Sequence, residues 1–525
     1  MDQSGMDEQK YGMCIECKQM SMLLCASILG SSILCQTCDS NLRVQKFGRC
    51  IECKQENTGH NWCQTCNSKR FQQNFSNWTS GNDDIDRFIQ NTQLSAWDSY
   101  QILEWIPYDR FTKVKYIAKG GFGKVYRATW KDGNIFHWDV SKCQWKRLGQ
   151  RNNTFVALKS LNKSQKITYE FINEITSHIK VFSYKPLDQI IRCYGITQDS
   201  DTKDYIMVMQ YANRGSLRNY LNEKKEKVYN EYKKHKFYET NLDLDLQIWG
   251  YRIGILRNIS IGLGRIHDKE LIHRDLHSGN IVCNKDLSRI TDMGLCRPAN
   301  HEELENMENS VYGVLPYLAP EILRGQDYTK ATDTYSFGII MYEVISELPP
   351  YYDIDHDEYL VLKICDGLRP RFNFKVPQLI LHLVKRCLDA NPSNRPSAND
   401  LTRMFCEWKE DLNKYVKNRN YDETELLDLE LVKQIKEISI SNSLLDTNNL
   451  PLTNKTHPGA IYTSRLFNCN NNLPEPKNSG DYYENYDNIS SVEYSDHRSN
   501  KSLDNVTVIT IVISQSIRIM LILTN

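Results

Sequence analysis

The run Ile272-His273-Arg274-Asp275-Leu276-His277-Ser278-Gly279-Asn280-Ile281-Val282 constrains this chain more than any other stretch. It sets an aspartate and an asparagine five residues apart on one loop, with apolar flanks at Leu271-Ile272 and Ile281-Val282 to anchor both ends. Twelve residues beyond Asn280, Ile290-Thr291-Asp292-Met293-Gly294-Leu295 reads as a strand that ends in a carboxylate and a glycine. Asp275 can accept or orient a hydroxyl proton, while oxygen donors at Asn280 and Asp292 suit a hard cation such as Mg²⁺. Chance occurrence of both motifs at this spacing is remote.

The preceding residues supply what such a loop needs. Ile117-Ala118-Lys119-Gly120-Gly121-Phe122-Gly123-Lys124-Val125 reads as strand, tight glycine turn, strand. Glycines there let backbone N–H groups approach phosphates closely. Taken alone, the stretch is equally a plain β-hairpin. Phe155-Val156-Ala157-Leu158-Lys159 is an apolar strand ending in a lysine, and the amphipathic stretch Tyr169 to Lys180 follows it. A strand lysine aimed at phosphates needs a carboxylate to orient it; Glu174 is the first choice, with Glu170 one turn earlier as runner-up. Tyr205 to Ala212 reads as a buried strand running into a bend at Gly215.

In this order the motifs resemble the protein kinase family, nearest the tyrosine-kinase-like group, over about Phe111 to Trp408. The resemblance implies an α+β, two-lobed fold with a β-rich N-lobe (about 111–212), a helical C-lobe (about 213–409) and ATP in the cleft between them. It implies Asp275 as catalytic base, with Lys159, oriented by Glu174, on the nucleotide phosphates and Asn280 and Asp292 as Mg²⁺ ligands. Nucleotide contacts are implied at Ile117, Gly120, Gly121, Phe122, Gly123, Val125, Ala157, Lys159, Met209, Gln210 and Ala212, with Met209 as gatekeeper. Two further pieces fit. Glu321, in Leu318-Ala319-Pro320-Glu321, would ion-pair with Arg395, and Asp333 would brace the catalytic loop through its backbone.

Some positions depart from the family's pattern. Ala118 stands for the first glycine of the loop, and Met293 for the usual phenylalanine. His277 occupies the place of a lysine usual in Ser/Thr kinases, and Val314 that of a threonine. The arginine-bearing catalytic loop and the tryptophan usual in tyrosine kinases are also missing, with Tyr317 in the tryptophan's place. Serine/threonine specificity is favoured over tyrosine, and intracellular signalling is the expected setting. The alternative is a pseudokinase scaffold that recruits partners through its front and tail. Arg274 beside Asp275 suggests control by charge, with Ser310 and Tyr312 as the nearest hydroxyls for a pairing phosphate.

Cysteine usage marks off the front. Nine of 17 cysteines fall between Cys14 and Cys66, and eight form the pairs Cys14/Cys17, Cys35/Cys38, Cys50/Cys53 and Cys63/Cys66. Four C-x-x-C pairs supply two four-thiolate Zn²⁺ sets, and a segment with few large apolar residues needs such a staple. The ligand count predicts about two ions per chain; an interleaved pairing of Cys14/Cys17 with Cys50/Cys53 stays open. Residues 1–70 are thus expected to form a zinc-ribbon-like interaction module. The acidic start, Met1 to Lys10, lacks a secretory signal, so the thiols are expected to be reduced and the chain cytoplasmic.

Lysine plus arginine (65) equals aspartate plus glutamate (65), so no global field draws the chain to nucleic acid or acidic lipid. Residues 71–110 read as a polar connector with a helix around Ile85 to Trp97. Asp132 to Asn153 and Glu223 to Asp245 read as insertions in a kinase domain spanning 111–409. Residues 410–525 read as a mostly disordered, low-complexity tail. Its apolar end, Val506 to Leu523, contains Arg518, and an arginine at the centre of a membrane span costs about 2.5–3.5 kcal/mol. A sticky strand or an irregular end is favoured there over a tail anchor.

Overall fold

Strand β11 (Tyr205–Gln210) is buried from Tyr205 to Met209, as a strand covered on both faces requires. Its side chains alternate between two cores. Tyr205, Met207 and Met209 join Phe171 and Ile175 of the helix Tyr169–Val181. Ile206 and Val208 join Phe111, Ala128, Trp130, Val156 and Leu158 on the other face. The computed structural model describes residues 11–13, 20–24, 34–35, 44–119, 123–149, 154–161, 169–181, 189–223, 242–284, 287–298, 310–417, 429–443, 456–468, 473–478 and 480. The chain divides into units 1–477 and 478–525, and everything below concerns the first.

Its main sheet has six strands in the order β4 (Glu104–Trp105), β10 (Cys193–Gln198), β11, β9 (Thr154–Leu161), β6 (Gly123–Trp130), β5 (Phe111–Lys119). All neighbours are antiparallel except β4, which runs parallel to β10. Gly195 makes this edge possible: a Cβ there would sit 2.0 Å from the Glu104 carbonyl oxygen.

The span read as a connector is instead built into the small lobe. Its helix is Asp83–Ser95, capped by the Asn82 side chain, which accepts from the amides of Asp84 (2.9 Å) and Ile85 (3.2 Å). Ile85 and Ile89, one turn apart, are fully buried in the same core as β10 and β11. Burying two isoleucine side chains contributes roughly 3–6 kcal/mol, which favours docking over a free linker.

The insertion after Asp132 also has structure. Strands β7 (Asn134–Asp139) and β8 (Gln144–Leu148) form a hairpin. Trp145 stacks on Phe71 at 4.7 Å and on Trp62 at 5.7 Å, while Arg147 holds Glu104 of β4 at 2.5 Å. The hairpin thereby clamps the cysteine-bearing front to the sheet edge. Most of the second insertion (224–241) lies outside the described residues.

The large lobe is helical. Lys330–Ser346 is buried over nearly its whole length, its apolar residues in the core and its buried Asp333 and Glu343 hydrogen-bonded. Gly338 lets Gln378–Cys387 approach it, since a Cβ there would lie 2.7 Å from that of Cys387. Leu242–Asp268 packs against Ala398–Lys417. Within the span read as tail, a helix Glu430–Ser443 buries Leu431, Val432 and Ile435 against both, and 456–468 follows as ordered chain. These residues carry enough apolar surface to dock, which the polar composition around them obscured. Val506 to Leu523 lies outside the described residues. Among the described residues no helix is long and apolar enough to cross a membrane.

Candidate active site

Alternation along β9 decides where Lys159 points. Val156 and Leu158 enter the core shared with Ile206 and Val208, so Ala157 and Lys159 face the other way, toward the helix Tyr169–Val181. There the Lys159 Nζ donates to Glu174 Oε1 at 2.6 Å and to Asp292 Oδ1 at 2.9 Å. One amine thus joins a strand and a helix of the small lobe to the large lobe.

Lys159 and Glu174 are buried and Asp292 is partly so, and their charges are set by one another. Burial works against the Lys159 ammonium, but Asp292 and Glu174 raise it above the ordinary lysine value. Burial likewise opposes the Asp292 carboxylate, yet the Lys159 ammonium holds it below the usual range. Glu174, the deeper carboxyl, is pushed up by burial against the pull of the Lys159 ammonium.

The loop after β12 (Leu271–Ile272) carries the second group. Asn280 Nδ2 donates to the main-chain oxygen of Asp275 at 3.0 Å and to its carboxylate at 3.2 Å. Arg274 adopts φ +69°, a left-handed conformation that costs a non-glycine residue about 1–2 kcal/mol. Asp333 holds it there, accepting the His273 amide at 2.8 Å and the Arg274 amide at 3.0 Å, with His267 Nε2 at 2.9 Å.

Burial would raise the Asp333 carboxyl, but the hydrogen bond and charge of His267, with the charge and amide of His273, keep it below the usual carboxylate range. Its contribution to stability is therefore present above the unfolded value and lost as pH falls through the lower folded value. Asp333→Asn should be less stable than the wild type at neutral pH, and the gap should narrow at about pH 3, below the ordinary aspartate value of about 3.9. Urea midpoints at both pH values check this; an equal gap at both would refute it.

The remaining predicted residues fall as follows. Met209 is buried opposite Ala157, and Gln210 lies at the end of β11, its amide donating to the Arg192 carbonyl at 2.8 Å. Ala212 accepts from the Gly215 amide at 3.4 Å. Ile117 and Val125 lie on the paired strands β5 and β6; Gly123 opens β6, while Gly120, Gly121 and Phe122 lie outside the described residues. Met293 is fully buried. Glu321 and Arg395 meet in a two-pronged ion pair at 2.6 and 2.9 Å. The Arg274 guanidinium lies 4.2 Å from the centre of the Tyr328 ring. Ser310 and Tyr312 lie on β16 (Ser310–Gly313).

Sequence reasoning missed a buried cluster beneath the loop. Arg218 Nε bonds Glu343 Oε1 at 3.0 Å, and its Nη2 bonds Tyr317 Oη at 2.6 Å and Ser278 Oγ at 2.9 Å. Ser278 also donates to Glu343 at 2.9 Å. The cluster links Ser278 of the catalytic-type loop, Tyr317 and the helix Lys330–Ser346, across separations of 26 to 125 residues that no local pattern reveals.

At the front, the sulfurs of Cys50, Cys53, Cys63 and Cys66 all lie within 4.8 Å of one another, with Cys53–Cys63 at 3.5 Å and Cys50–Cys66 at 3.8 Å. Tetrahedral Zn²⁺ with Zn–S near 2.3 Å needs sulfurs about 3.8 Å apart, so this donor set fits the ion. Cys14, Cys17 and Cys38 lie outside the described residues, and Cys35 is described only as backbone in β3 (Leu34–Cys35).

A six-stranded small lobe and a helical large lobe, meeting at a lysine shared by two carboxylates and an Asp/Asn loop, define a protein-kinase-like class. The chain belongs to the protein kinase family: the family described as protein tyrosine and serine/threonine kinase matches residues 111–405, over half of the 525. It is 28% identical over 301 residues to an RGS domain-containing serine/threonine-protein kinase A of Dictyostelium discoideum, covering 57% of this chain and 22% of that one. It is 25% identical over 359 residues to a probable serine/threonine-protein kinase, kinX, of the same organism, covering 66% and 28%. A putative serine/threonine-protein kinase/receptor R818 of Acanthamoeba polyphaga mimivirus is 27% identical over 316 residues, covering 59% and 16%. The chain thus spans between 16% and 28% of the length of these relatives.

Proposed function

We propose that the chain transfers the γ-phosphate of ATP to protein hydroxyls, serine and threonine in preference to tyrosine, in cytoplasmic signalling. The observation that carries this reading is the Lys159 amine bonded to both Glu174 and Asp292, beside a loop that joins Asn280 to Asp275. In this reading Lys159 orients the nucleotide phosphates and Asp275 receives or aligns the substrate hydroxyl proton. Asn280 and Asp292 offer the hard oxygen donors that Mg²⁺ prefers, and the ion would neutralise charge on the phosphates. The serine/threonine preference and a place nearest the tyrosine-kinase-like group are supported by the relatives' names and by the motif pattern, respectively. Arg274 remains the proposed partner for a phosphate on Ser310 or Tyr312, which Ser310→Ala and Tyr312→Phe test by loss of activation.

Purified chain with Mg²⁺ and radiolabelled ATP should label casein on serine or threonine. Absence of transfer to any protein would refute the assignment. Retention of Lys159, Asp275, Asn280 and Asp292 supports this reading over a scaffold.

The front is proposed as a zinc-stapled protein-interaction module, with Cys50, Cys53, Cys63 and Cys66 holding one ion. Trp62, 1% exposed, donates from Nε1 to the Ala96 carbonyl at 3.1 Å beside these thiols. Chelation should release about one ion per chain from this set and shift Trp62 emission to the red as its site opens. Elemental analysis and fluorescence check this; a second ion would assign the Cys14, Cys17, Cys35 and Cys38 set. Unchanged emission with full metal loss would refute a structural role.

A further inference from the structure

Residues 456–468 lie across the large lobe with one hydroxyl on the candidate catalytic base. Ser464 Oγ is 2.8 and 3.1 Å from the two carboxylate oxygens of Asp275, and 3.4 Å from His277 Nε2. Immediately after it, β17 (Arg465–Asn468) pairs antiparallel with β16, in the register Gly313↔Arg465, Tyr312↔Leu466, Val311↔Phe467, Ser310↔Asn468. An extended segment added to the edge of another strand, with a hydroxyl aimed at a carboxylate, is how a peptide substrate is presented.

The residues before Ser464 are anchored as well. Tyr462 Oη donates to the Pro350 carbonyl at 2.9 Å, and its ring lies under the Arg218 guanidinium at 4.1 Å and edge-on to His356 at 4.9 Å. The His356 amide donates to the Gly459 carbonyl at 3.1 Å, and the His457 amide to the Tyr352 carbonyl at 2.8 Å. Farther on, Arg324 grips Glu475 at 2.5 and 2.6 Å. Contacts on both sides of Ser464 hold it in register over Asp275.

We propose that 456–468 occupies the peptide-substrate site in cis and that Ser464 is an intramolecular phosphorylation site whose modification releases the segment. This rests on the kinase reading above. In the step, Asp275 takes the Ser464 hydroxyl proton as Oγ forms a bond to the γ-phosphorus of ATP. The bond from that phosphorus to the β–γ bridging oxygen breaks, ADP leaves with its electron pair, and the proton passes to solvent. A dianionic phosphate then faces the Asp275 carboxylate, and like-charge repulsion expels the segment and frees the site for other proteins.

The full chain, freed of phosphate, is incubated with Mg²⁺ and ATP at several protein concentrations, with casein present or absent. Phosphopeptide mapping follows Ser464, and hydrogen exchange follows amides 465–468 before ATP and after it. Expected are labelling of Ser464 at a rate independent of protein concentration, and protected amides that lose protection once labelled. Tyr462→Ala, which removes the ring contacts with Arg218 and His356, should slow Ser464 labelling about tenfold and raise casein labelling. Casein labelled while Ser464 stays unmodified overturns this proposal and leaves the kinase reading intact. Labelling that rises with protein concentration overturns the intramolecular step, and unprotected amides before ATP overturn the docking. No transfer to casein or to Ser464 overturns both readings.

Discussion

Asp275→Asn should lower phosphate transfer about 10²–10⁴-fold, the usual contribution of a positioned proton acceptor. The substitution keeps the side chain's volume and removes its negative charge and one oxygen. Asn280 keeps its 3.0 Å bond to the residue's main-chain oxygen, and Asp333 still holds the His273 and Arg274 amides. The loop should therefore stay in place while its basic group is lost. Initial rates of casein labelling by wild type and variant, at matched thermal midpoints, separate chemistry from folding. A variant that keeps more than about a tenth of wild-type activity would show that Asp275 is not the proton acceptor.

Arg395→Ala should cost the large lobe about 3–5 kcal/mol, the penalty for leaving one partner of a buried ion pair alone. Both charged groups are shielded, with the Arg395 side chain 0% and that of Glu321 5% exposed. Arg395 also donates to the carbonyls of Asp389 at 2.9 Å and Ala331 at 3.1 Å, so its loss orphans several acceptors. Because Glu321 lies in the first turn of the short helix Pro320–Leu323, the damage should spread to Tyr317 and the loop beneath Asp275. Replacing both residues, Arg395→Leu with Glu321→Leu, should cost less than Arg395→Ala alone, since no buried charge is stranded. Urea unfolding of the three proteins tests this; a double variant as unstable as the single one would locate the cost elsewhere.

Much of the candidate site was legible because short motifs encode it. Lys159 lies on a strand, two residues short of its end, whose alternation fixes its face, and Asp275 and Asn280 share one loop, so local pattern places each of them. Of the two carboxylates the sequence offers, Glu174 first and Glu170 as runner-up, Glu174 bonds the lysine. The docking of helix Asp83–Ser95 was not legible, because its two buried isoleucines look the same on a free amphipathic helix. Nor was the clamp of Trp145 on Trp62 and Phe71, made across an insertion with no motif of its own. A composition rich in Asn, Ser and Asp hid the ordered segment 456–468.

The amino-acid order by itself determined the kinase family and the lobe order and singled out Lys159, Asp275, Asn280 and Asp292, each within a short motif; the structure joins them as two bonded pairs, Lys159–Asp292 and Asn280–Asp275. Only the tertiary structure decided that Ser464 rests on Asp275, a contact spanning 189 residues. Its cause is backbone pairing between β16 and β17, whose hydrogen bonds use main-chain groups common to every residue. Side-chain identity therefore carries almost no advance notice of it.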